Sequence, residues 1–227
     1  MCGRYLLTTP IGDLSKLFGF IELPNLSPSW NIAPTHEAPV VRAVDDSRTF
    51  AKLRWGLVPN WARPTSSRPP LINARGETIA EKPSFKESFN LFRCLVPADG
   101  FFEWRGKGST RQAFFVDPGE TVAFAGLWAT SQGPDGKSLE TFTIVTTEAN
   151  KLLKDVHHRM PVVIPPDAFD IWLKASTTDA ASLIQAAPED RFRLVEVDRR
   201  VGDVNQNDPD LLKPAKSLSP MGQLKLF

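Results

Sequence analysis

Along most of this chain, apolar and polar residues alternate in short runs bounded by Pro, Gly, Asp and Asn. That pattern reads as strands. Residues 38–44 and 49–58 are two of them, with Asp45-Asp46-Ser47 as the turn between. Residues 71–78 open with an apolar pair, turn polar and reach Gly76, so a strand there runs into a loop. Residues 93–97 read as a short buried strand, and 112–117, 121–129, 140–147, 161–164 and 192–197 as five more. Helical spacing is rarer. Residues 13–18 fit a short helix closed by Gly19. Phe85, Phe89 and Phe92 form one stripe within residues 84–92, the spacing of a core-facing helix. Residues 148–154 fit a helical turn, 166–174 a helix entered through Pro165-Pro166, and 178–187 a helix with Leu183 and Ile184 inward. From Gly202 the chain is polar and is expected to form a wrapping strand and then a frayed end.

Composition narrows the class. A chain of 227 residues with 41% hydrophobic content can bury a sizeable core without staples. Two cysteines, Cys2 and Cys94, are too few for a disulfide framework, and a reduced, intracellular setting is expected. The start is polar within four residues, unlike a signal peptide, and no apolar run approaches the ~18 residues of a membrane span. The 20 prolines are scattered, which fits many short elements joined by fixed turns. Net charge is only +1, but it is unevenly placed: residues 42–111 hold 13 Lys/Arg against 7 Asp/Glu, and residues 112–227 hold 12 against 16. The basic middle segment offers either a phosphate-binding face or an ordinary solvated surface.

Candidate chemistry starts at Cys2. Removal of Met1 would leave a 1,2-aminothiol, whose amine condenses with an aldehyde and whose thiol then closes a thiazolidine ring. With ordinary pKa values of ~7.7–8.0 for the amine and about 8.5 for the thiol, both would be partly nucleophilic at neutral pH. Arg4 carries a fork suited to phosphate. The loop at 59–70 combines Trp61 with Arg63 and Arg68, the composition of a stacking-plus-phosphate site, though Trp61 could equally plug the core edge. Asn73 and Arg75 differ by two, so on an extended backbone they share a face. Cys94 lies among apolar residues and reads as structural. Glu103 sits between aromatics in Phe101-Phe102-Glu103-Trp104, where a carboxylate either points to solvent or is held as a raised-pKa acid/base. His157 and His158 stand beside Arg159 and Pro161, and only one of the two rings is expected to enter a given site. A zinc site would lack CxxC-type spacing, so no metal or cofactor is expected.

Six motifs stand in order: Met1-Cys2-Gly3-Arg4-Tyr5, Trp30-Asn31-Ile32-Ala33-Pro34, Arg54-Trp55-Gly56-Leu57-Val58-Pro59, Asn73-Ala74-Arg75-Gly76-Glu77, Gly100-Phe101-Phe102-Glu103-Trp104 and His157-His158-Arg159-Met160-Pro161-Val162. Together they resemble the SOS-response-associated peptidase family of abasic-site processing proteins, from residue 2 to about residue 210. The resemblance implies an α+β class and a single domain, with a β-rich, barrel-like, mostly antiparallel core flanked by short helices. That domain would span 1–210, with 211–227 as a C-terminal tail. It implies loss of Met1, with self-cleavage as one route, and a covalent thiazolidine crosslink to abasic sites in single-stranded DNA. The family's catalytic residues fall on Cys2, Asn73, Glu103 and His157. Arg4, Asn31, Trp61, Arg75 and Arg159 are the candidate DNA-binding residues. The expected partner is DNA, with no membrane, a monomeric state, and a place in the cytoplasm or nucleoid.

Two other classes fit parts of the pattern. Class II glutamine amidotransferases also begin Met-Cys-Gly, but their Arg-Gly-Pro and Asn-Gly-Glu motifs do not follow here. A non-covalent single-strand binding module would make Cys2 structural and its DNA binding reversible and salt-sensitive.

Overall fold

The computed structural model describes residues 2–62, 69–108, 111–133 and 135–215, so Arg63 and Arg68 lie outside the described residues. In chain order the strands are β1 (Arg4–Leu7), β2 (Ser29–Ile32), β3 (Glu37–Val44), β4 (Ser47–Trp55), β5 (Asn73–Arg75), β6 (Arg93–Ala98), β7 (Gly100–Arg105), β8 (Gln112–Asp117), β9 (Val122–Gln132), β10 (Ser138–Glu148), β11 (Arg159–Pro161), β12 (Val163–Ile164) and β13 (Arg193–Val197). The helices are short: α1 (Ile11–Phe18), α2 (Lys86–Leu91), α3 (Lys151–Lys154), α4 (Phe169–Lys174) and α5 (Thr177–Ser182).

Five strands close on themselves in the order β10-β4-β3-β6-β9, with β9 pairing back to β10. Closure removes the free edges that a sheet of this size would otherwise expose. Around the ring only the β10–β4 pairing is parallel. β5 adds to β10 in parallel, β11 adds to β10 and β12 to β9. A second, antiparallel sheet runs β13-β8-β7-β1-β2. One domain of α+β class results, with the barrel at its centre.

The pleat of the second sheet decides which side chains meet the barrel. On β7, Phe101 joins the large core shared with the barrel, while Phe102 joins a smaller cluster with Leu6, Phe115, Val197, Val201 and Leu211. Both faces of β7 are therefore covered. In the large core Tyr5 meets Trp55 edge-on at 5.2 Å, and Phe101 meets Phe124 at 5.8 Å. The indole of Trp55 donates to the Ile72 carbonyl at 2.8 Å, so its polar end is satisfied. Cys94 is fully buried in the barrel wall, as its apolar surroundings predict.

Local chemistry accounts for the joints. Asp45 and Asp46 both take positive φ, 45° and 63°, the conformation of a two-residue hairpin turn that Asp tolerates. α1 ends on Gly19 at φ 73°, as the sequence predicts. The strand expected at 49–58 stops at Trp55, because Gly56 takes φ 125° and turns the chain out of the ladder. The helix expected at 178–187 stops at Ser182, and Leu183 and Ile184 are only partly buried. The expected wrapping strand is replaced by two 3-10 turns, Arg199–Gly202 and Pro209–Leu212, after which Pro214 makes a single bridge to Val197.

Candidate functional site

Four elements bring the expected catalytic residues together. Cys2 lies two residues before the start of β1, the strand between β7 and β2, and is fully buried. Asn73 opens β5, and its side-chain amide donates to the Cys2 carbonyl at 2.8 Å. Glu103 lies on β7, next to β1, and is 2% exposed. His157 sits just before β11, with its Nδ1 4.0 Å from Glu103 Oε1. The reading in which Glu103 points to solvent therefore fails. Alternation carries Glu103 to the same side as Phe101, and that side packs on the barrel.

Burial sets the protonation states. It raises the Glu103 carboxyl above the usual range, and the Trp104 backbone N–H and then the Arg111 charge act in the other direction. It also pushes the Cys2 thiol well above its ordinary value, with the Glu103 charge adding to the effect. The expectation of a partly ionised Cys2 at neutral pH is corrected on this ground: the thiol keeps its proton until a base removes it. Burial pushes His157 down to about 4, so its ring is neutral at pH 7. Its Nδ1 lies 3.0 Å from the Arg159 backbone N–H and 3.3 Å from the Arg159 carbonyl, and the shorter contact, in which Nδ1 accepts, favours the ring proton on Nε2. His158 stacks on the His157 ring at 4.3 Å.

The expected DNA contacts divide. Arg75 is exposed, on the same side of β5 as Asn73, while Ala74 between them is buried. Arg4 is half-buried and donates to the Gly3 carbonyl at 2.8 Å and the Gly202 carbonyl at 3.3 Å. Trp61 is 60% exposed, a ring open to stacking rather than a core plug. Arg159 is buried, and its guanidinium is bound to Glu77 and Thr146. Asn31 is 1% exposed, and its amide donates to the carbonyls of Val201, Asp203 and Gln206. It ties the C-terminal turns to β2.

Sequence reasoning missed a further aromatic-cation pair. The Arg111 guanidinium lies 4.7 Å from the centre of the Trp104 ring, beside Glu103. Only the β7–β8 hairpin, with Arg105 opposite Gln112, brings these two residues together. Among the described residues no group of His, Cys, Asp and Glu side chains could hold a metal ion. No described helix is long and apolar enough to cross a membrane.

A closed five-stranded barrel with an N-terminal Cys, an Asn, a Glu and a His converging beside it defines a family. The chain belongs to the SOS response associated peptidase (SRAP) family, whose model matches residues 1–204. It is 34% identical over 222 residues to the abasic site processing protein YoqW of Bacillus subtilis, covering 94% of this chain and 99% of YoqW. It is 32% identical to the abasic site processing protein YedK of Escherichia coli, covering 94% and 100% of the two chains. The abasic site processing protein HMCES of Pongo abelii is also 32% identical, covering 94% of this chain and 76% of HMCES. A crystal structure of a protein from Bacteroides thetaiotaomicron shares the fold, with a TM-score of 0.85 at 24% identity over 95% of this chain and 100% of that one.

Proposed function

We propose that this protein recognises abasic sites in single-stranded DNA and crosslinks to them covalently through Cys2. The bond from Asn73 to the Cys2 carbonyl, the charge of Glu103 acting on the Cys2 thiol and His157 4.0 Å from Glu103 support this reading, together with the relatives named for abasic-site processing. The reaction needs the Met1–Cys2 peptide bond cleaved first, because an acylated nitrogen cannot form an imine. The ring-opened abasic sugar presents an aldehyde at C1′. The freed Cys2 amine attacks that carbon and forms a carbinolamine. Glu103, whose carboxyl burial raises above the usual range, gives a proton to the departing hydroxyl, and water leaves. The carboxylate so formed takes the proton from the buried thiol, and Sγ closes the ring on C1′. One water is lost overall and no redox partner is needed.

The other residues hold the reactants. Asn73 fixes the Cys2 backbone through its carbonyl. Neutral His157 donates from Nε2 to a sugar or phosphate oxygen. Arg4 and Arg75 offer charge to the phosphates, and Trp61 a face to a base. In the cell this chemistry would shield an abasic site during the response to DNA damage.

The test mixes Met1-processed protein with an oligonucleotide carrying one abasic site. A denaturing gel should show a shifted band with the mass of protein plus DNA less one water, absent for Cys2→Ala. No band despite confirmed loss of Met1 would reject covalent trapping and leave reversible binding.

A further inference from the structure

The two sides of the site stand on short strands. Asn73 belongs to three-residue β5 and His157 precedes three-residue β11, and both strands lean on β10. They meet it at the same place, since Thr146 of β10 lies opposite Arg75 on one side and Pro161 on the other. Neither strand is long enough to fix its own position firmly.

One side-chain pair crosses β10 and joins them. Arg159 opens β11, and its guanidinium reaches over Thr146 to Glu77, in the 3-10 turn that follows β5. The contact is bidentate, at 2.6 and 2.8 Å. A third bond runs from the guanidinium to the Thr146 carbonyl at 2.7 Å and a fourth to the Thr146 hydroxyl at 3.3 Å. The side chain of Arg159 is 8% exposed and that of Glu77 47%, so the fork is buried at its arginine end, open to solvent at its carboxylate end, and directional. Glu77 is held below the usual carboxylate range, chiefly by the Arg159 hydrogen bond, and is charged at neutral pH. The same Arg159 presents the backbone N–H that fixes the His157 ring.

We propose that Glu77 is a positioning residue. Through Arg159 it ties the strand that carries Asn73 to the segment that carries His157, and it holds His157 in the tautomer with its proton on Nε2. This role rests on the crosslinking reading only for its kinetic consequence. The tautomer itself is independent of that reading.

The test uses the full chain and the variants Glu77→Ala and Glu77→Gln, with three readouts. The first is the single-turnover crosslinking rate at saturating abasic oligonucleotide. The second is reversible affinity for an intact oligonucleotide of the same length. The third is the ring-nitrogen spectrum of His157 by NMR without DNA, assigned with His157→Gln. Misplacement by a fraction of an ångström is expected to slow Glu77→Ala about tenfold or more. Affinity for intact DNA should change by less than about threefold, the split that separates positioning from binding. The spectrum should change from one neutral tautomer to a mixture. Glu77→Gln, which keeps the shape and one donor-acceptor pair, should fall between wild type and Glu77→Ala in rate and spectrum. An unchanged His157 spectrum in a folded variant would overturn the proposal. So would rate and affinity falling by the same factor, which would make Glu77 a DNA-binding residue. If wild type forms no crosslink, the functional reading fails, and the spectrum still decides the role of Glu77.

Discussion

At the scale of single residues, Tyr5 is the anomaly. It is fully buried against Trp55 and Phe124, and its hydroxyl has no hydrogen-bond partner among the described residues. A buried hydroxyl without a partner costs ~1–3 kcal/mol. Tyr5→Phe removes that cost and keeps the ring, so the melting temperature should stay level or rise by a few degrees. A fall of several degrees would mean that the hydroxyl is bonded. Chemistry of this kind is only partly legible in a sequence. Cys2, Asn73, Glu103 and His157 each stand out by residue type and motif, and the fold gathers all four. Their protonation states could not be read from the chain. The thiol of Cys2 and the carboxyl of Glu103 are governed by burial, and burial comes from a sheet packed on both faces. Nor could the partner of Arg159 be read, because Glu77 lies 82 positions earlier and meets it only across β10.

At the scale of elements, alternation places most strands correctly, because a half-buried ladder imposes a period of two. It misjudges the places where backbone geometry overrides the pattern. β4 ends at Gly56, and the C-terminal segment folds into 3-10 turns held by side chains rather than into a strand. Two substitutions test those joints. Gly100 opens β7 at φ 142°, and a Cβ there would stand 2.4 Å from the Phe115 ring and 2.7 Å from the Val116 carbonyl. Gly100→Ala should therefore cost ~3 kcal/mol or more, read as a lower denaturation midpoint. Asn31→Ala leaves the carbonyls of Val201, Asp203 and Gln206 without their donor. A loss of ~2–3 kcal/mol follows, roughly 5–10 °C in a chain of this size. The dependence of DNA affinity on salt should not change, because no phosphate contact is removed. A shallower salt slope with unchanged melting would return Asn31 to the DNA face.

Across the whole molecule, the site and the barrel make opposing demands. The barrel buries Glu103, and the proposed chemistry needs a carboxyl there that can give up and retake a proton. Linkage makes the conflict measurable. Burial raises Glu103 above its ordinary value of 4.5, so above pH 4.5 the native chain keeps a proton that the unfolded chain releases. Stability from this group is complete below that pH and is lost as pH rises through the raised value. His157 acts in the opposite sense. It stays neutral down to about 4 in the native chain, whereas the unfolded chain takes a proton near 6.5, so its effect is to lower stability as pH falls from 6.5 to 4. Replacing Glu103 with Gln deletes the first slope and leaves the second. Glu103→Gln should thus melt higher than wild type at pH 7.5, with the gap closing toward pH 4.5. The same substitution should slow crosslinking, since Gln can neither protonate a departing hydroxyl nor accept the thiol proton. Melting curves at the two pH values, with crosslinking measured on the same samples, check both halves. Equal gaps at both pH values would show that Glu103 carries no burial cost, and with it would go the reason for holding that carboxyl as the proton donor.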